Sequence, residues 1–209
     1  MPLPKDETTP PAPTVTDIDG NVYQTVTIGS QVWMADNLAT TRFNDGTSIP
    51  QVKNDTAWGS LLTPAYCWYF NDGVTYKYSY GALYNWYAVN TGKLAPAGWH
   101  VPTDDEWTIL FTYMGGDSIA GGKMKSMSSL WHTPNTGATN SSGFSAAPGG
   151  YRNSYDGSFY LYTMFGVWWS STEIYDNASS YHTLGYNSTK VTHGMNMQST
   201  GYSVRCVKN

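Results

Sequence analysis

Between Trp168 and Asn209, apolar residues recur at intervals in a run otherwise made of Ser, Thr, Asn, Gly and Tyr. The anchors are Trp168, Trp169, Leu184, Val191, Val204 and Val207. A strand that keeps one face in a core and the other in water needs such alternation. The tail is therefore expected to form strands whose apolar face builds the fold. The outward set expected from the pattern is Tyr175, Tyr181, His182, Thr183, Gly185, Asn187, Lys190, Thr192, His193, Gly194, Asn196 and Thr200. Lys and Glu, the usual solvating residues, are scarce in it. Tyr offers rigid contact area and small polar residues offer adaptable hydrogen bonds, which is the chemistry of a recognition surface. The plainer reading is a polar strand surface with no partner.

Composition narrows the classes. A chain of 209 residues suits one domain. Lys plus Arg number only eleven, the net charge is −4 and no basic run occurs, which argues against nucleic acid. No segment approaches the ~20 apolar residues of a membrane-spanning helix. Nine Trp, seventeen Tyr and few charges fit a secreted or surface β-rich protein. Residues 1–16 read as a flexible Pro/Thr-rich linker and 17–209 as a single domain. The first residues carry no apolar signal core, so the chain is expected to be a mature exported form that begins at a substituted Met. A cytosolic or phage-associated protein is the alternative. Cys67 and Cys206 are either a disulfide or two buried thiols.

Turn residues punctuate the chain at Asp17–Asn21, Gly29–Ser30, Asn44–Gly46 and Asn71–Gly73. Val22–Gly29 and Gln31–Leu38 read as a hairpin, and Ala65–Phe70 as a buried strand. Two helices are expected. Leu83–Val89 is a short one. Thr103–Met114 opens with a capping box, Thr103 with Glu106, and Asp104 and Asp105 favour the positive end of its dipole. Trp107, Leu110, Phe111 and Met114 give it one apolar stripe before Gly115–Gly116. Helices early and strands late imply α+β.

No catalytic constellation is legible. His100, His132, His182 and His193 lack metal-ligand spacing, and no Ser sits in a nucleophile elbow. Gly121–Gly122 and Gly149–Gly150 lack the context of a phosphate loop. No cofactor is implied, although loop oxygens at Asp72, Asp156 or Asp176 leave room for structural calcium. Trp33, Trp58, Trp86, Trp99, Trp107 and Trp131 are expected to be core plugs, since Trp brings large area and one N–H to satisfy.

Five blocks carry a resemblance: DIDGNVYQTVTIGSQVWMADNL, YGALYNWYAVNTGKLAPAGWHVPTDDEW, NSSGFSAAPGGYR, WWSSTE and GYSVRCVKN. Together they resemble the Fibrobacter succinogenes major paralogous domain, a family of exported bacterial domains, over Asp17–Asn209. That family is similar to the formylglycine-generating-enzyme branch of the C-type lectin fold, which implies two helices, small antiparallel sheets and long loops. Those enzymes use a C-terminal cysteine pair, and the matching tail here has only Cys206. Their activity is therefore not carried over. Ala95 stands where many members have a Cys, so the resemblance leaves Cys67 and Cys206 as the one possible pair. The tail also resembles the variable region of proteins diversified by retroelements, whose outward positions derive from Asn codons. Three functions follow as expectations. The first is a noncatalytic surface module, free or lipid-anchored, that binds a protein or glycan through its tail. The second is an enzyme around His100, Asp104 and Arg152, and the third is a subunit of a surface assembly.

Overall fold

The computed structural model describes residues 13–209, so most of the expected linker, residues 1–12, lies outside the described part. Its end does not: Thr14–Thr16 forms β1, against the expected linker boundary at residue 16. Alternating Thr and Val suit a strand. The Pro13 carbonyl holds it by accepting from the Thr25 amide and hydroxyl, both at 2.9 Å.

β2 (Val22–Ile28) and β3 (Gln31–Met34) pair in antiparallel register across a two-residue turn, Gly29 supplying φ of 62°. Then follow α1 (Asp55–Gly59), β4 (Tyr66–Cys67), α2 (Gly73–Tyr80), β5 (Leu83–Tyr84), α3 (Trp86–Val89), β6 (Trp99–His100), α4 (Asp104–Tyr113) and α5 (Asp117–Met124). The rest is mostly strand: β7 (Tyr151–Arg152), β8 (Phe159–Tyr160), β9 (Phe165–Tyr175), β10 (Ala178–Gly185), β11 (Val191–Met197) and β12 (Val207–Lys208). The class is α+β. Antiparallel pairing links the strands of a five-stranded sheet, β1-β2-β3-β12-β6, and of a three-stranded sheet, β11-β10-β9. The last strand inserts between β3 and β6, which closes the two ends of the domain on each other.

α4 follows its sequence signals. The Thr103 hydroxyl accepts from the Glu106 amide, and the Glu106 carboxylate accepts from the Thr103 amide at 2.9 Å. Five helices, not two, appear among the described residues. α2 leaves Val74 and Tyr78 exposed and has no apolar stripe to betray it; Asp72 starts it by accepting from the Val74 and Thr75 amides. α5 carries Gly121–Gly122 in its interior, which opposes helix formation. Packing overrides that propensity: a Cβ on Gly121 would lie 2.8 Å from the Thr189 carbonyl, so only glycine lets α5 approach the segment before β11.

Two further expectations need correction. Leu83–Val89 is not one helix, because Leu83–Tyr84 pairs with Tyr66–Cys67 and the Asn85 side chain then caps a helix of four residues. Ala65–Phe70 is not one buried strand. It leaves the sheet after Cys67, and Phe70 turns outward, 56% exposed, in a left-handed conformation with φ of 49°. The two cysteines are free buried thiols in different clusters, Cys67 with Trp58 and Leu83 and Cys206 with Tyr84 and Val204, so they form no disulfide. Burial raises the pKa of both, Cys67 to about 12, which keeps them protonated.

The adjacent tryptophans organise the centre. Trp168 and Trp169 are successive strand residues and must point to opposite faces of the three-stranded sheet. Trp168 enters a cluster with Trp33, Trp107 and Phe144, and Trp169 enters another with Tyr84, Trp86 and Tyr202. Each indole N–H is satisfied, Trp168 by Asn37 Oδ1 at 2.8 Å and Trp169 by the Tyr84 carbonyl at 2.9 Å. Every anchor expected from the tail is buried. The other expected plugs are buried too, except half-buried Trp99.

Candidate binding face

The three-stranded sheet carries the tail residues expected to face outward. Its register aligns Tyr175, Ala178 and Met197 in one row, Ser180 with Met195 in the next, and Trp168, His182 and His193 in a third. All lie on one face. The intervening rows put Trp169, Tyr181 and Gly194, then Val167, Thr183 and Thr192, on the other.

Because β10 is the central strand and both faces meet a core, alternation does not separate inside from outside there. His182 (5% exposed) and Thr200 (1% exposed) are buried, as is Gly185, against the expectation for these three. Tyr181 and Thr183 are half-buried, and Tyr181 packs on Tyr202 with ring centroids 5.1 Å apart. Gly194 and Asn196 serve that packing. A Cβ on Gly194 would come within 3.1 Å of the Tyr181 hydroxyl, and Asn196 Nδ2 donates to the Tyr202 hydroxyl at 2.7 Å.

Tyr175, Asn187, Lys190, Thr192 and His193 are exposed. They do not form one cluster: Asn187 and Lys190 lie at the β10–β11 connection, and Tyr175 at the opposite, free end of the sheet. Around Tyr175 (64% exposed) the structure gathers Ile174, Met195 (53%) and Met197 (54%), which the sequence reading did not single out. The available signal was the i, i+2 spacing of His193, Met195 and Met197, which puts them on one side of a strand. The free end is held stiffly, since Gln198 Nε2 donates to Glu173 Oε1 at 2.9 Å and to Ser179 Oγ at 3.2 Å. β11 pairs only with β10 among the described residues, so no strand takes its other edge, although α5 packs against its start, and its seven residues include no Asp, Glu, Lys or Arg.

Beneath this face His182 Nε2 donates to Asp104 Oδ1 at 3.1 Å, while His182 Nδ1 is buried without a partner. Burial lowers the His182 pKa below 6.5. Burial works against the Asp104 charge, yet hydrogen bonds from His182, Ser170 and Ser180 take its carboxyl below the ordinary value. In both cases the unfolded chain binds the proton more tightly, so stability is lost as pH falls below about 6.5 and again through the carboxylate range. The unfolding midpoint is expected to fall on acidification from pH 7 to 4. His182→Gln should make that fall shallower, as followed by circular dichroism.

The residues of the enzymatic alternative are not assembled. His100 meets Glu106 and Asn209, each at 2.7 Å. Asp104 belongs to the His182 network, and Arg152 donates to the Gly157, Val52 and Lys53 carbonyls and to Asp55. Of the three, only His100 lines the 190 Å³ cavity beside Val89 and Ser171. Asp72 caps α2, Asp156 accepts from the Ser158 amide and the Tyr160 hydroxyl, and Asp176 is exposed in the β9–β10 turn. Among the described residues no three His, Cys, Asp or Glu side chains converge as a metal site would require.

These features define an α+β domain that presents a stiff strand edge beside exposed Tyr and Met side chains. The family model for the Fibrobacter succinogenes major domain matches residues 26–208, and the chain belongs to that family. Neither a curated protein nor a solved structure matches the chain. No helix is long and apolar enough to cross a membrane, among the described residues.

Proposed function

We propose that the protein is a noncatalytic binding module of an exported bacterial surface protein, built on a C-type lectin-like scaffold, that engages a protein partner through the free end of its three-stranded sheet. One observation carries the reading: Tyr175, Met195 and Met197 stand exposed on one face, next to the end of a strand edge that no other strand pairs among the described residues. Met adapts its shape to a partner, Tyr adds rigid area, and an unpaired edge offers backbone hydrogen bonds to an added strand. The low charge of the chain and its family resemblance support export. The exposed positions Asn187, Lys190, Thr192 and His193, interleaved with buried Leu184 and Val191, are compatible with sequence diversification on a fixed frame.

The test screens the protein against arrays of bacterial and host surface proteins and of glycans, then repeats each hit with a Tyr175→Ser, Met195→Ser, Met197→Ser triple variant. Loss of a protein hit by at least tenfold with an unchanged unfolding midpoint is expected. A protein hit that survives the triple change overturns the assignment of this face.

A further inference from the structure

Away from the sheet, α2 and the segment after β3 form the two walls of a groove. It comprises two cavities, about 350 and 340 Å³, that share Asp36, Asn37 and Tyr78. Each is of the size that holds small ligands. Tyr78 stands 88% exposed at their junction, although nothing in the fold requires an aromatic there. Lys77 Nζ sits 5.6 Å from the centroid of the Tyr78 ring and 5.8 Å from that of Trp68. Apart from that lysine, the Tyr78 ring stands open to solvent.

The groove floor is rigid. Asn37 is buried, its Nδ2 donates to the Tyr80 carbonyl at 2.8 Å, and its Oδ1 accepts from Trp168 and Arg205. Of the Asp36 oxygens, Oδ2 accepts the Gln24 amide at 2.9 Å, which fixes the carboxylate and leaves it acceptor capacity. Ser79, Ser126 and Ser128 add hydroxyls along the first cavity. The charges lining the groove are exposed Asp36, half-buried Lys77 and, in the floor of the first cavity, buried Arg205. The Arg205 N–H donors are turned to Asn37, Met34, Phe144 and Ser145 oxygens, so no free cation is left for an anionic ligand.

We infer that this groove binds a neutral oligosaccharide, with a sugar ring stacked on the open face of Tyr78 and its hydroxyls shared between Asp36 and the serines. An exposed aromatic plane meets the C–H face of a sugar, and a fixed carboxylate flanked by hydroxyls matches vicinal hydroxyl groups. Two adjoining cavities ask for more than one sugar unit. A phosphorylated or uronic ligand would need clustered free cations, whereas Lys77 lies by aromatic rings and Arg205 spends its donors on protein oxygens. This site is separate from the sheet face, and each can fail without the other.

The probes are cellohexaose, xylohexaose and mannohexaose, titrated by calorimetry, with polygalacturonate and a denatured-casein peptide mixture as competing chemistries. At least one neutral hexaose should bind. Tyr78→Ala should weaken it about tenfold or more, and Asp36→Ala should weaken it as well, each at an unchanged unfolding midpoint. Tyr175→Ala should leave it unaltered. No binding by any neutral probe overturns the proposal. So does binding that survives Tyr78→Ala, or binding of only the acidic polymer or the peptides.

Discussion

Arg205→Met is expected to lower the unfolding free energy by about 3 kcal/mol, one of the two largest effects in the molecule. Arg205 is fully buried and forms no ion pair among the described residues, although Asp36 lies near enough to favour its charge. Its guanidinium donates instead to neutral oxygens: Asn37 Oδ1 from Nε at 3.1 Å and Nη2 at 2.9 Å, the Met34 carbonyl at 3.1 Å, and the Phe144 and Ser145 carbonyls. Its plane lies over the Phe144 ring, 4.3 Å from the centroid. Burial lowers its pKa to about 10, still well above neutrality, so the group stays charged. Met fills the volume but orphans several buried acceptors, each costing about 1–3 kcal/mol, partly offset by the charge no longer desolvated. Arg205→Lys keeps the charge but not the planar fork, so it should recover less than half of the loss. Urea unfolding of the three proteins checks this, and full recovery by lysine would show that charge matters rather than the fork.

The Arg205 cluster also shows why local features were legible and distant ones were not. The α4 capping box, the Gly29–Ser30 turn and the tryptophan plugs are each specified within a few residues, and each stands where the pattern puts it except half-buried Trp99. Arg205 meets Asn37 across more than half of the chain, and no periodicity encodes that contact. The same holds for the groove, whose Asp36, Tyr78 and Ser126 come from three separate segments. In the tail, the pattern found the anchors because apolar residues in alternation must bury one face. It failed at His182 because β10 is flanked on both sides and covered on both faces, so its polar residues are buried as well. At edge strand β11 the rule regains force. His193, Met195 and Met197 share the exposed side, and a surface sought in Tyr and small polar residues leaves the last two out.

Lys125 is fully buried like Arg205 and Arg152, and its replacement has an effect of similar size to that at Arg205 with an added pH signature. The side chain is fully buried beside Trp131, 5.5 Å from the ring centroid. Nζ donates to the Ser188 carbonyl at 2.8 Å, to Thr136 at 2.9 Å and to Gly185 at 3.0 Å, with Tyr186 at 3.5 Å. The ammonium thus ties the β10–β11 connection to the segment after α5. Lys125→Met leaves those carbonyls unpaired and should cost about 3 kcal/mol. Hydrogen exchange should speed up first in residues 185–190, because that connection loses its clamp. Burial pushes the Lys125 pKa down to about 8, so between pH 8 and 10.5 the unfolded chain binds the proton that the folded chain has released. The lysine protein must therefore gain stability over the methionine variant as pH rises through that window. Paired urea titrations at pH 7, 9 and 10 measure the difference. A penalty for methionine that stays constant with pH would mean that the carbonyl cage holds the proton against desolvation, and a shrinking one would reverse the sign of the burial effect.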